Sequence, residues 1–268
     1  VFLMRDVQSE RDMRNIPIDS VGVTGLAYPI EVRDRNEKTQ HTVAMVEMSV
    51  SLPRHFRGTH MSRFIEILNS CNGHVTLHNL EHIASALREH LEADKAELKF
   101  SFPYFATRRA PVSGAPSLTR YDAAFWASCG EDFDFTLTVT VPVNTLCPCS
   151  KEISERGAHN QRAEVMITVR MDHLVWIEEL ADIAEESASS PVFTLLKRED
   201  EKYVTERAYD NPRFVEDVVR EVAVRLDDDP RISWYSVRVV SHESIHAHEA
   251  FASLSRDKRL RNAPGRTG

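Results

Sequence analysis

Thr42 to Leu52 (TVAMVEMSVSL) alternates without a break, with Val43, Met45, Glu47, Ser49 and Ser51 opposing Ala44, Val46, Met48, Val50 and Leu52. A two-residue period of this length is a β-strand with one buried face. The alternation returns in Lys95 to Ala106, and Tyr121 to Val143 holds one or two long strands around a Gly130-Glu131-Asp132 turn. It appears again in Arg162 to Met171 and in Trp234 to Ser241. Helical periods fall between the strands. Ser62 to Asn69 is a short helix, and Thr76 to Leu91 carries Leu77, Leu80, Ile83, Ala84, Leu87 and Leu91 on one stripe. Ile177 to Ala188 reads as a helix before Pro191 interrupts. Pro212 to Asp227 reads as another, with Asn211 as its N-cap and Pro212 at the first position. Each half therefore reads strand, helices, strand, with long antiparallel strands rather than βαβ units. This is an α+β fold built by structural duplication. Residues 1 to 40 read as an arm holding one short extended piece, Tyr28 to Val32, and the tail after Leu260 reads as disordered.

Composition removes several classes of function. The 268 residues can bury a sizeable core. A net charge of −8 argues against general nucleic-acid or anionic-membrane binding. No run approaches the roughly 20 apolar residues of a membrane span, and the first residues lack the apolar centre of a signal peptide. Cys71, Cys129, Cys147 and Cys149 are too few for a disulfide scaffold, so the expectation is a cytoplasmic protein with reduced thiols. One local basic cluster, Arg54, His55, Arg57, His60 and Arg63, leaves room for an anionic small molecule.

The densest chemistry is Cys147-Pro148-Cys149-Ser150-Lys151, with His159 shortly after. On a strand the two thiols would share a face. Thiolate and imidazole, joined by a carboxylate, suit zinc or a related divalent ion with a position left for water. Core cysteines beside a surface histidine are the bland alternative. Glu243, His246 and His248 form a second cluster, read either as metal or acid–base groups or as an exposed polar loop. The charge-dense stretch Leu195 to Tyr209 gives no reason to choose one carboxylate. Glu216, beside Val215 and Val218, should have partly apolar surroundings, where it could pair with a flat amidine-like edge such as that of guanine; the bland alternative is an exposed helix glutamate. Arg57 to Arg63 (RGTHMSR) places donors before a helix start and could hold phosphate, or could be a loop with incidental arginines.

Six segments in order resemble the GTP cyclohydrolase IB family. They are Arg57 to Arg63, Cys147 to Lys151, Gly157 to Arg162 (GAHNQR), Asp200 to Glu206 (DEKYVTE), Asn211 to Asp217 (NPRFVED) and Glu243 to His248 (ESIHAH). Each is weak alone, and together they span nearly the whole chain. The resemblance implies a tunnelling fold: an arm over 1–40, modules over 41–145 and 146–260, and a tail over 261–268. Each module would carry an antiparallel four-stranded sheet and two helices. The modules would close into barrels in a homotetramer with active sites at subunit interfaces. The implied reaction turns GTP and water into 7,8-dihydroneopterin triphosphate and formate, the first step of tetrahydrofolate biosynthesis. It needs a divalent ion (zinc, manganese or iron) and no organic cofactor, nucleic acid or membrane.

By the same resemblance, Cys147, His159 and Glu201 hold the ion, and His246 donates a proton to the guanine ring. Glu216 anchors the guanine edge, and Lys151, Arg57, His60 and Arg63 take the triphosphate. Cys149 is a fourth ligand, a proton carrier or a redox-sensitive neighbour, while Glu243 and His248 orient His246. Two rivals stand beside this reading. A nitrile reductase on the same fold would need an NADPH site and a metal-free thiol. A non-catalytic metal or redox sensor would use Cys147 and Cys149 without turnover.

Overall fold

The structure, a computed structural model, describes residues 7, 8, 10–36, 38–71 and 73–262. Residues 1–6 of the expected arm and 263–268 of the expected tail lie outside the described residues, as does the side chain of Leu77. The chain divides into two units, Val1–Phe102 with Ala124–Thr136, and Pro103–Ala123 with Leu137–Gly268.

In the first unit, β1 (Ile18–Arg33) pairs antiparallel with β2 (Thr39–Leu52), and α1 (Met61–Asn69) and α2 (Leu77–His90) follow. The strand β3 (Ala96–Arg109) then pairs antiparallel with β2, Met45 opposite Ser101 and Val50 opposite Ala96. The alternation in β2 does what its period demands: Ala44, Val46, Met48, Val50 and Leu52 are buried, while Val43 and Met45 are exposed. The helices supply the other side of this core through Phe64, Leu68, Leu80, Ile83, Ala84 and Leu87, all buried. Full burial of each of the Phe, Leu and Ile side chains contributes about 1.5–3 kcal/mol.

Residues 18–33 form a 16-residue strand where the sequence showed only the short piece Tyr28 to Val32. Its alternation is broken by register shifts between Ile18 and Val21 and between Val23 and Leu26. These hide the two-residue period from sequence. Gly22 sits between the shifts because a Cβ there would run into the Met48 carbonyl of β2.

The remaining elements are β4 (Pro116–Cys129), β5 (Phe133–Leu146), α3 (Pro148–Ile153), β6 (Asn160–Met171), α4 (Ile177–Ser187), β7 (Ser190–Pro191), α5 (Arg198–Asp210), α6 (Val215–Asp228), β8 (Ile232–Ser241) and β9 (Ala250–Asp257). In the second unit the order is β5-β6-β8-β9, all antiparallel, with β7 also on β5. Val139, Val141, Val165, Ile167, Val237 and Val239 are fully buried, as are Leu180 and Ala184 of α4 and Val218, Val222 and Leu226 of α6.

Three further differences from the sequence reading bear on the site. The Cys147 run is not a strand: β5 stops at Leu146 and Cys147 caps α3, because Pro148 takes the first helical position. Helix α6 starts at Val215, capped by Phe214, while Asn211 closes the end of α5. The Asp217 carboxylate accepts the Phe214 N–H at 3.0 Å and so fixes the later start. The charge-dense stretch 198–210 is the helix α5.

A buried polar seam holds α4 in the second unit. Glu178, Asp182 and Glu185 follow one another along a helical face. Tyr104 donates to Glu178 at 2.6 Å, Arg108 to Asp182 at 2.6 Å and to the Tyr121 oxygen at 2.6 Å, and Tyr121 to Glu185 at 2.6 Å. Burial pushes the Glu185 carboxyl above its ordinary range, and the Arg108 guanidinium opposes that rise. Arg108→Met should therefore leave Glu185 buried without its cation, at a cost of about 3–5 kcal/mol near neutral pH. The folded carboxyl then binds its proton more tightly than the unfolded one. Stability is lost as pH rises from the unfolded value through the folded one. Thermal melts should show the deficit largest at neutral pH and shrinking as acid protonates Glu185. A deficit independent of pH would refute this account of the seam.

Candidate active site

The site is built on the β5–β6 hairpin. Its antiparallel register runs from Leu137 opposite Val169 to Leu146 opposite Asn160, and the Cys147 N–H then donates to the His159 carbonyl at 3.1 Å. Residues on either side of the hairpin connection are thus set at adjacent strand ends. Ser150 ties them again: its N–H donates to the Cys147 sulfur at 3.3 Å, and its Oγ accepts the His159 N–H at 3.3 Å. Cys147 is half-buried and Cys149 exposed, so the two sulfurs have different surroundings.

The position of Cys147 is clamped from behind. Leu146 donates its N–H to the fully buried Ser189 Oγ at 3.0 Å, and its carbonyl accepts the Arg213 N–H at 3.0 Å. Asn211 joins these partners. Its Nδ2 donates to the Ala188 carbonyl at 3.0 Å, and its Oδ1 accepts from Arg213 Nε at 3.0 Å. The sequence reading gave Asn211 a capping role and assigned nothing to Ser189. Its signal is faint, a small polar residue buried between a helix end and a strand.

His159 Nδ1 lies 2.8 Å from Gln161 Oε1. An amide oxygen can only accept, so Nδ1 is the donor in this pair, and in the neutral imidazole Nε2 is then the nitrogen with the lone pair. The loop between β8 and β9 brings the second cluster close. It is closed at Ser241 opposite Ala250, and Ser241 Oγ donates to Glu243 at 2.9 Å. His242 pairs with Glu249 at 2.7 Å. The rings of His246 and His248 stack at 5.2 Å, and the His246 ring is 6.4 Å from that of His159, nearly perpendicular to it.

Glu201 stands apart from this group. It is exposed in the first turn of α5, beside the fully buried Asp200. Asp200 accepts from Val112 N–H at 2.8 Å, Ser113 N–H at 2.9 Å, Ser113 Oγ at 2.7 Å and Lys197 N–H at 2.9 Å. Burial alone would push its pKa up, but these donors outweigh burial and hold the carboxyl well below the usual range. Among the described residues no three His, Cys, Asp or Glu side chains converge in a way that could hold a metal ion. Within one chain, Cys147 and His159 are brought together and Glu201 is not. The donor types of the two residues joined at the hairpin end, a thiol and an imidazole, suit a divalent ion chemically.

Lys151 Nζ donates to the Tyr209 carbonyl at 2.5 Å and lies 4.2 Å from the centre of that ring. Glu216 is exposed at the start of α6, so the apolar surroundings read from sequence are not supplied by this chain. Arg57, His60 and Arg63 belong to the first unit, where Arg57 pairs with Glu10 at 2.8 Å and Arg63 donates to the His90 carbonyl at 2.8 Å.

The family model described as type I GTP cyclohydrolase FolE2 matches residues 4–252. A protein of Kosmotoga olearia named GTP cyclohydrolase FolE2 is 58% identical over 257 residues, which covers 96% of this chain and 100% of that one. One of the same name from a Geobacter species is 54% identical over 255 residues, 95% of this chain and 96% of that one. Among solved structures, the uricase of Arthrobacter globiformis is similar at a TM-score of 0.52 over 93% of this chain and 96% of that one. At 8% identity this likeness speaks to the fold alone: α+β, an antiparallel sheet with helices.

The Asp200 contacts predict a local effect. In Asp200→Ala the amides of Val112, Ser113 and Lys197 lose their acceptor, and their hydrogen exchange should rise. Exchange of the β5–β6 hairpin amides should not change. Equal loss of protection in both places would mean that Asp200 supports the whole unit rather than the start of α5.

Proposed function

The chain belongs to the type I GTP cyclohydrolase FolE2 family and is a GTP cyclohydrolase; we propose that it converts GTP and water into 7,8-dihydroneopterin triphosphate and formate at a site holding a divalent metal. The observation that carries the site assignment is the Cys147–His159 hairpin closure with the His246 ring alongside. Cys147, His159 and Glu201 would hold the ion. Such an ion supplies Lewis acidity, which lowers the pKa of a water toward neutrality.

The chain's own residues do the rest. His159, with Nδ1 engaged by Gln161, would hold the ion through Nε2. His246, stacked on His248, delivers a proton to the guanine ring nitrogen as the ring opens. Glu243, held by Ser241, keeps the loop shaped for that transfer. Glu216 accepts the N1–H and exocyclic amine of guanine in charge-assisted hydrogen bonds. Lys151 with Arg57, His60 and Arg63 takes the triphosphate. Cys149, exposed beside Cys147, is a neighbour of the centre that oxidation would reach first.

Exposure of Cys149, Glu201, Glu216, His246 and His248 on the single chain supports a site that a second subunit closes. The proposed assembly is a homotetramer of paired tunnelling-fold modules, 41–145 and 146–260, working in the cytoplasm. No helix among the described residues is long and apolar enough to cross a membrane. All four cysteines are free.

Incubating the protein with GTP and manganese under reducing conditions should yield formate and, after oxidation, a fluorescent pterin. Chelation should abolish both and manganese should restore them. Cys147→Ala should lose at least about 100-fold in kcat, while Glu216→Gln should lose mainly in KM. Absence of formate from the metal-loaded protein would refute the proposed reaction. Full turnover by Cys147→Ala would refute the ligand set.

A further inference from the structure

We propose that Gln161 is a positioning residue that fixes the ligand face of His159 and ties it to the loop carrying His246. This rests on the reading of His159 as a metal ligand. Gln161 is half-buried in β6 and engages three neighbours at once. Its Oε1 accepts from His159 Nδ1 at 2.8 Å and from Ser244 Oγ at 3.4 Å. Its Nε2 donates to Thr145 Oγ1 at 3.3 Å. Thr145 is fully buried on β5, so the amide is anchored to the rigid part of the hairpin.

The two acceptor positions of the amide oxygen have separate consequences. One holds the His159 ring in the tautomer that leaves Nε2 free to bind a metal. The other reaches Ser244, two residues before His246, and ties the histidine loop to the same side chain. A rotation of the Gln161 side chain would therefore release the ligand and the proton donor together. No other described side chain is seen bonding to both His159 and this loop. A glutamate at 161 would keep the accepting oxygen while losing the donation to Thr145. A leucine would keep the approximate volume and lose both.

The test uses the full-length apo protein titrated with cobalt(II), whose visible absorption reports affinity and ligand geometry. Gln161→Leu should weaken cobalt binding about 10- to 100-fold and alter the absorption envelope. Gln161→Glu should retain most of the affinity and the wild-type envelope. Hydrogen exchange of the loop amides 243–248 should rise in Gln161→Leu and stay near wild type in Gln161→Glu. His159→Ala serves as the control for the underlying reading. If it binds cobalt like wild type, His159 is not a ligand and both readings fall. If His159→Ala weakens binding but Gln161→Leu does not, the positioning role alone is refuted. Equal weakening by Leu and Glu, with both variants melting early, would also refute it, because the residue would then matter only for packing.

Discussion

One hydrogen bond, from the Cys147 N–H to the His159 carbonyl, sets the terms for the rest of the site. It is the last rung of the β5–β6 pairing, made where β5 has already given way to α3. Without it the thiol would ride on a free helix start and the imidazole on a loop. With it, both side chains inherit the rigidity of a sheet whose neighbouring residues are fully buried. Strand pairing is an economical way to place two side chains, since register is fixed by every buried side chain along the hairpin. A one-residue slip would turn Val139, Val141, Val165 and Ile167 to the wrong face, so the core itself guards the pairing.

The hairpin end is in turn held by polar groups that the core had to take in. Ser189 and Asn211 serve the backbone of Leu146, Ala188 and Ser189, and Arg213 caps the other side. Upstream, α4 is fixed by the Glu178, Asp182 and Glu185 seam, and its end leads directly to Ser189. Buried polar groups of this kind add little net stability compared with apolar packing, but they are costly to break. Their effect here is positional. They convert a general hydrophobic contact between helix and sheet into one fixed placement of the strand that ends at Cys147.

Much of this was legible in the sequence, for physical reasons that differ by element. The two-residue period of β2 and β6 and the stripe of α2 could be read because one face of each is buried. The strand β1 could not, since its register shifts interrupt the period. Helix α5 was missed because few of its residues are buried, and its start depends on Asp200 accepting donors from a distant loop. The same limit applies to the site. The six ordered segments pointed to Cys147, His159 and His246, and the fold brings these near one another. Gln161 lay within one of those segments without a role, since only the folded hairpin reveals that its amide faces His159 and Ser244. A spacing of i, i+2 across a strand start was the one available hint.

The exposure of the reactive groups carries a further consequence. A carboxylate such as Glu216, or an imidazole such as His246, interacts weakly with a charged substrate while water surrounds it, because screening at high dielectric removes most of the attraction. The single chain leaves both groups, and Glu201, on its surface. The proposed chemistry on a guanine ring would need these groups desolvated and Glu201 brought to the thiol and imidazole. Buried polar contacts fix the strand end at Cys147 and, through Asp200, the start of the helix that carries Glu201. In the proposed site, closure by substrate, metal and a second subunit would bring Glu201 in and supply the walls around guanine. A site divided in this way would stay inactive as an isolated chain and gain its electrostatics only on assembly.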